Sequence, residues 1–236
     1  MREPCKIVRD TLAFVGTKIG AGMSTKEVDE LVERYIRSAG AYPSCLGYGG
    51  FPASACVSVN EVVVHGIPDE QTILKDGDIV SVDVCAYKNG YHGDACRTFC
   101  IGGVAPEIKQ LVKVTEECFF KAIEGLRAGT PLFDIGYKVQ QHAEKHGYGV
   151  IRSYTGHGIG KEMHEDPSVP NYGKKGTGAR LKAGTVLCVE PMITLGDWRV
   201  RLLDDGWGAV TIDGKPAAHY ENTLVVREDG VEILTL

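Results

Sequence analysis

The amino-acid sequence predicts an α+β fold made of two halves related by a pseudo-twofold axis, and three observations carry that reading. The stretch "LKDGDIVSVD" (Leu74 to Asp83) is written again as "LKAGTVLCVE" (Leu181 to Glu190), each an apolar run closed by a carboxylate. The offset between Leu74 and Leu181 also lays "AGMSTKEVDELVERYIRSAG" (21–40) on "AGTPLFDIGYKVQQHAEKHG" (128–147), with Ala-Gly leading and Gly closing both. Third, Asn89-Gly90 follows the first strand as a two-residue hairpin signal, so the strands pair antiparallel. A helix and a strand repeated at one offset point to an internal duplication.

In the first copy of the helix, Ser24 and Glu27 form a capping-box pattern, Val28, Leu31, Val32, Tyr35 and Ile36 make an apolar stripe, and Gly40 is placed to end it. In the second copy Ile135 and Val139 stand where Val28 and Val32 stood. The segments 7–19 and 108–126 read as preceding helices, so each half runs helix, helix, strands. Gly-Gly and Pro in "IGGVAPE" (101–107) mark the junction, giving repeats of about 1–105 and 106–236 within one domain, 1–236.

A chain of 236 residues, 43% hydrophobic, can bury a sizeable core. Net charge −5 argues against nucleic-acid binding or a membrane surface, and no apolar run approaches the roughly 20 residues of a membrane span. "MREPCKIVRD" lacks the apolar core of a secretory signal. Eight cysteines without a CxxC pair, several inside strand-like runs, read as reduced apolar residues of a cytoplasmic protein.

The acids at the strand ends are the chemical signal. With Asn89-Gly90 as the turn, Lys88 opposes Tyr91 and Cys85 opposes Asp94, so Asp83 and Asp94 are diagonal neighbours on one face. The second half repeats the device: Glu190 ends its strand, Asp213-Gly214 marks a second hairpin turn, and "AHYENT" returns with Glu221. "HGD" (92–94) and "HYE" (219–221) share a His-x-acid pattern, although "TLGDWRVRLLDDGW" lengthens the second excursion. Four converging carboxylates repel and raise one another's pKa values, and a pair of divalent cations is the economical compensation. Oxygen-rich ligation favours Mn²⁺, Fe²⁺ or Co²⁺, with Zn²⁺ admissible, over a thiolate zinc site.

Seven histidines surround this reading. His157 and His164 lie in the Gly-rich stretch "SYTGHGIGKEMHEDP", where glycine lets backbone crowd a site, and their spacing is not helical. His65 ends the Val-rich strand of "CVSVNEVVVHGIPD", a position where a lone histidine is more often structural. His142 and His146, one turn apart before Gly147, read as favourable charge at a helix C-terminus, in preference to a metal pair. His92 and His219 neighbour the acids and are placed to orient them.

Together these residues resemble the type I methionine aminopeptidases of the pita-bread metallopeptidase fold. The motifs "SVNEVVVHGIP", "DVCAYKNGYHGDACRTF", "TGHGIGKEMHEDP", "VEPMI" and "AHYENTLVV" occur in family order over essentially the whole chain. The resemblance implies an antiparallel sheet core with outer helices. By position it implies that Asp83 chelates one metal, that Asp94 and Glu221 bridge both, and that His157 and Glu190 complete the other. Glu190 is then the proton shuttle, while His65 and His164 contact substrate and the tetrahedral intermediate. Cys45, Tyr48, Phe51, Cys56, Met163 and Trp207 join His65 and His164 around the methionine side chain. Met163 departs from the Phe often found there, and Phe51 from the Tyr common in enterobacterial enzymes.

The implied activity is removal of N-terminal methionine from nascent polypeptides with a small second residue. The implied cofactors are two divalent ions (Co, Mn or Fe; Zn admissible) with a separate monovalent cation. The expected setting is the ribosome, as a monomer, with no direct nucleic-acid binding and no membrane. Two rivals share the fold. A proline-specific peptidase usually carries an additional N-terminal domain, for which this chain has no room. A non-catalytic pita-bread binding protein tends to lose metal ligands, whereas all five positions are filled. A metal-stabilised structural protein would not need His65, beside Gly66, or His164.

Overall fold

The computed structural model describes residues 1–236. Helices α1 (Arg2–Gly16) and α2 (Thr25–Ser38) precede strands β1 (Tyr42–Pro43), β2 (Cys56–Val59), β3 (Val62–Val64), β4 (Ile79–Lys88) and β5 (Tyr91–Cys100). Helices α3 (Pro106–Ile123) and α4 (Phe133–Lys145) then precede β6 (Gly149–Val150), β7 (Gly156–Gly158), β8 (Glu165–Val169), β9 (Val186–Val189) and β10 (Met192–Thr194). The chain ends with β11 (Val200–Leu202), β12 (Ala209–Thr211), β13 (Ala217–His219), β14 (Asn222–Val226) and β15 (Val231–Ile233).

Local chemistry fixes the helix ends. Ser24 Oγ accepts from Glu27 N (3.1 Å) and Ser24 N donates to the Glu27 carboxylate (2.7 Å), which is the capping box the sequence spells. Gly40 (φ 68) turns the chain out of α2. The first helix starts earlier than the 7–19 reading, because Pro4 is tolerated in a first turn. Pro106 opens α3 at its first position, immediately after the Gly-Gly break.

Two layers of packing aim the chemistry. On β4 the alternate residues Val80, Val82, Val84 and Ala86 are buried against the apolar stripes of α1 and α2. Period two then sends Asp83 and Cys85 to the opposite, inner face. On β9, Leu187 and Val189 pack into the core under α3 and α4, which likewise turns Cys188 and Glu190 inward. Each fully buried aliphatic side chain here contributes roughly 1.5–3 kcal/mol, so a slip in register that exposed them is strongly disfavoured.

The first sheet pairs β4 with β1, β2 and β5; the largest other sheet runs β15-β14-β9-β7-β8. The β4–β5 register matches expectation, with Lys88 opposite Tyr91 and Cys85 opposite Asp94. Two details differ. "CVSVNEVVVH" is two strands, broken at Asn60 (φ 51), whose amide accepts from Ile79 N (3.0 Å) and donates to Asp78 (2.9 Å). Asp213-Gly214 is a turn but not a hairpin. β12 already has β11 and β3 on its two edges, so β13 pairs with β10 instead. The partner of β9 is β14, with Val189 opposite Asn222, so the next step brings Glu190 opposite Glu221. The second acid pair is therefore directly opposed where the first is diagonal.

Candidate active site

The two sheets meet along β5 and the β13–β14 segment, and the acids converge there. Asp94 N donates to Thr223 Oγ1 (3.0 Å), which donates in turn to Asp94 O (2.8 Å). Glu221 N donates to Cys96 O (3.1 Å). The Arg97 guanidinium closes the seam by donating to Glu221 O (2.5 Å) and Asn222 Oδ1 (2.7 Å) while lying over the Tyr220 ring. Asn171 Nδ2 holds the Glu190 carbonyl at 2.9 Å.

Asp83, Asp94, His157, Glu190 and Glu221 line one polar cavity, together with His65, His164, His219 and the run Ser153, Tyr154, Thr155. His157 Nε2 stands 3.6 Å from Glu190 Oε1 and 3.9 Å from Asp94 Oδ2. Its Nδ1 donates to Gly158 O (2.8 Å), which leaves Nε2 with its lone pair toward the acids. Gly156 and Gly158 carry His157 between β8 and β9. A Cβ at either would collide with Cys188 O or Asp166 O, so the flanking glycines are a packing requirement.

Electrostatics mark the cluster as incomplete in protein atoms alone. Burial pushes the Asp83 carboxyl up to about 7. Burial, then the neighbouring carboxylates, push Asp94, Glu190 and Glu221 well above the usual range. Burial lowers His157 to about 4 and His219 to about 3, which leaves both rings neutral near pH 7. Asp94 Oδ1, Glu221 Oε1 and His219 Nε2 are buried without a hydrogen-bond partner. Orphaned oxygens among crowded carboxylates are what a divalent cation bound through oxygen would satisfy. Asp94, His157, Cys188 and Glu221 offer ligand atoms all within 4.8 Å of one another. The site fits metal.

A second cavity, of about 140 Å³, opens beside the first and shares His65, Asp83, Asp94 and His164 with it. By the same measure a single water needs only ~10–15 Å³, so there is room for an apolar side chain. Its walls are Cys45, Tyr48, Phe51, Cys56, Met163 and Trp207. Phe51 and Trp207 meet edge to face at 5.1 Å. Cys56 sits opposite Asp83 across β2–β4. The loop that feeds β2 is fixed from below by buried Asp29, which accepts from Ser54 N (2.8 Å) and Ala55 N (3.0 Å).

His164 Nδ1 lies 2.7 Å from the Tyr48 hydroxyl, and its ring stands 4.3 Å from that of His157. His65 has a left-handed backbone (φ 58) and its ring meets Tyr154 edge to face at 5.3 Å. A non-glycine residue held in that region at a cavity rim is a common mark of a working position.

The other histidines separate. His219 Nε2 is 3.9 Å from Glu190 and 4.0 Å from Glu221, beside the acids as its motif suggested. His92 instead bonds Ser44 Oγ (2.9 Å) and packs on Tyr87. Sequence reasoning missed Cys188 and Ser153–Thr155. Cys188 stands two residues before Glu190 on a strand, so strict alternation would have found it. Ser153–Thr155 carry no periodic signal.

Buried carboxylates and neutral imidazoles around a solvent-reaching cavity, on two packed α+β halves, define a metal-dependent hydrolase class. Residues 1–228 match metallopeptidase family M24, and the chain belongs to that family. It is 51% identical over 236 residues to a methionine aminopeptidase of Clostridium acetobutylicum, covering 100% of this chain and 94% of that protein. It is 46% identical over 235 residues to methionine aminopeptidase 1 of Bacillus subtilis, covering 100% and 94%. The crystal structure of a methionine aminopeptidase from Thermotoga maritima superposes with TM-score 0.98 at 45% identity, covering 100% of this chain and 94% of the other. A prolidase from Pyrococcus furiosus shares the fold at TM-score 0.79 and 22% identity, and this chain spans 62% of it.

Proposed function

We propose that the protein hydrolyses the first peptide bond of polypeptides beginning with methionine, as one catalytic domain built from the repeats 1–105 and 106–236. The observation that carries this reading is the junction of the two cavities. A pocket walled by two thiols, a thioether and three aromatic rings opens directly onto the acid cluster, and sulfur packs well against such rings. The high identity to methionine aminopeptidases over the whole chain supports it over the proline-specific and non-catalytic alternatives.

Asp83, Asp94, His157, Glu190 and Glu221 would hold two divalent ions of the Mn²⁺, Fe²⁺, Co²⁺ or Zn²⁺ class. When bound, such ions polarise a carbonyl and acidify water. Glu190 accepts the proton of the attacking water and returns it to the leaving amine. His164 donates from Nε2 to the developing oxyanion. Tyr48 is placed to support that role: its hydroxyl lies 2.7 Å from Nδ1, and donation there would keep the proton on Nε2. His65, fixed by its backbone and by Tyr154, positions the substrate beside the acids. The substrates are nascent chains met at the ribosome, and the enzyme acts as a monomer. No helix is long and apolar enough to cross a membrane.

Methionine release from Met-Ala and Met-Leu peptides, with X-Pro peptides as the comparison, tests the reading. Met-Ala is expected to be cleaved efficiently and Met-Leu poorly, because the second side chain must pass the crowded acid rim. Comparable kcat/KM for the two peptides would remove the small-residue requirement, and preferential X-Pro cleavage would replace the activity itself.

His164→Ala is expected to lower kcat on the order of 10²–10³ with a smaller change in KM, as for loss of an oxyanion donor. Tyr48→Phe removes only the tautomer-fixing bond, so a smaller loss in kcat is expected together with an altered pH profile. An unchanged kcat in metal-replete His164→Ala would exclude the donor role.

A further inference from the structure

The outer surface of α3 and α4 carries a second group of side chains able to hold a metal, none of which lines either cavity. His142 and His146 lie one helical turn apart at the end of α4, with ring centroids 4.7 Å apart. Sequence spacing explained them as charge at a helix terminus. The structure adds Glu117 from the neighbouring helix, whose Oε2 stands 2.9 Å from His142 Nε2. Ligand atoms of all three residues lie within 4.8 Å of one another.

We propose that Glu117, His142 and His146 form a separate divalent-metal site that clips α3 to α4 and takes Zn²⁺. Three features of the geometry support this. His146 Nδ1 donates to the His142 carbonyl (2.9 Å), which fixes the tautomer and leaves Nε2 as a free donor atom. Lys113 sits against the other carboxylate oxygen, Oε1, at 3.6 Å, so Oε2 remains directed at the imidazoles. Gly147 (φ 79) turns the chain so that the Tyr148 ring lies nearly parallel to that of His146, at 16° between planes and 6.4 Å between centroids.

The chemistry selects the ion. Two imidazole nitrogens and one carboxylate make a nitrogen-rich set suited to Zn²⁺, and by the same ordering to Cu²⁺ and Ni²⁺. The four-acid cluster is oxygen-rich and leans toward earlier metals. The Glu117 side chain is 37% exposed and that of His142 is 17%, so solvent reaches the site and can fill the remaining coordination position. The ion joins helices through residues distant in sequence, which makes its binding a stabilising link between them.

The test is a zinc titration of the full-length protein by competition with a chromophoric chelator, comparing wild type with His146→Ala and Glu117→Gln. Both substituted residues are solvent-reaching, and melting curves confirm that the variants fold. The wild type is expected to bind one more Zn²⁺ per chain than His146→Ala, and Glu117→Gln to weaken that same site at least tenfold. The ions of the acid cluster appear equally in all three proteins and cancel in the comparison. Zinc should also raise the wild-type melting temperature more than that of His146→Ala. Equal zinc stoichiometry and affinity in all three would overturn the proposal.

Discussion

Exhaustive chelation is expected to bring methionine release down to the level of the enzyme-free control, and resupplied Mn²⁺, Fe²⁺ or Co²⁺ to restore it. Asp83, Asp94, Glu190 and Glu221 are crowded into one cavity with orphaned oxygens. Without cations nothing in the protein compensates their charge. Stability should move with activity. Ions present at about a hundredfold their dissociation constant stabilise the fold by about 2.7 kcal/mol, and chelation removes that contribution.

The pH dependence of the ion-free protein has a definite sign. Asp83 is raised from its ordinary 3.8 to about 7, so the folded state binds its proton more tightly than the unfolded state does. Stability from this group is complete below the unfolded value and is lost as pH rises toward 7. The chelated protein should therefore melt higher at pH 5 than at pH 8. Loaded protein should show the opposite trend, because ligands must lose protons to coordinate. The gap between loaded and ion-free melting temperatures should widen with pH. Activity that survives complete demetallation, or a gap that narrows as pH rises, would sink this account.

Glu190→Gln should fold and bind ions yet lose turnover by roughly 10²–10⁴, the usual contribution of a positioned proton-transfer group. The substitution keeps the shape of the side chain and the Asn171 bond to its backbone carbonyl. It removes the ability to accept a proton at neutral pH. Its amide coordinates more weakly than a carboxylate, so metal content must be measured beside the rate. Near-normal kcat in a metal-replete Glu190→Gln preparation would assign the proton to another group.

Much of this site was legible from strand arithmetic. Asn89-Gly90 sets a register, the register sets a face, and the face puts Asp83 beside Asp94. The same reasoning faltered in the second half. There an inserted stretch supplied β11, filled the free edge of β12 and sent β13 to another sheet. Edge competition of that kind is a tertiary fact, and a turn dipeptide such as Asp213-Gly214 reports only the bend. The histidines show the same boundary. What separates His219 from His92 is which side chain happens to face each ring: Glu190 and Glu221 for one, Ser44 and Tyr87 for the other. The Gly-His-Gly placement of His157 was legible as crowding, but its tautomer depended on the carbonyl of Gly158, which no spacing rule supplies.

The Thr223 hydroxyl, bonded to both the amide and the carbonyl of Asp94, behaves as a missing rung between two ladders. It puts Asp94 of one sheet in register with Glu190 and Glu221 of the other, so neither half owns the acid cluster. Capture of ions by that cluster and the closing of the seam would then be two descriptions of one equilibrium. By reciprocity, whatever factor the ions add to closure, closure adds to ion affinity. A substitution along β5 or β14 that lets the sheets slide is thereby expected to change metal affinity, even when it touches none of the clustered acids.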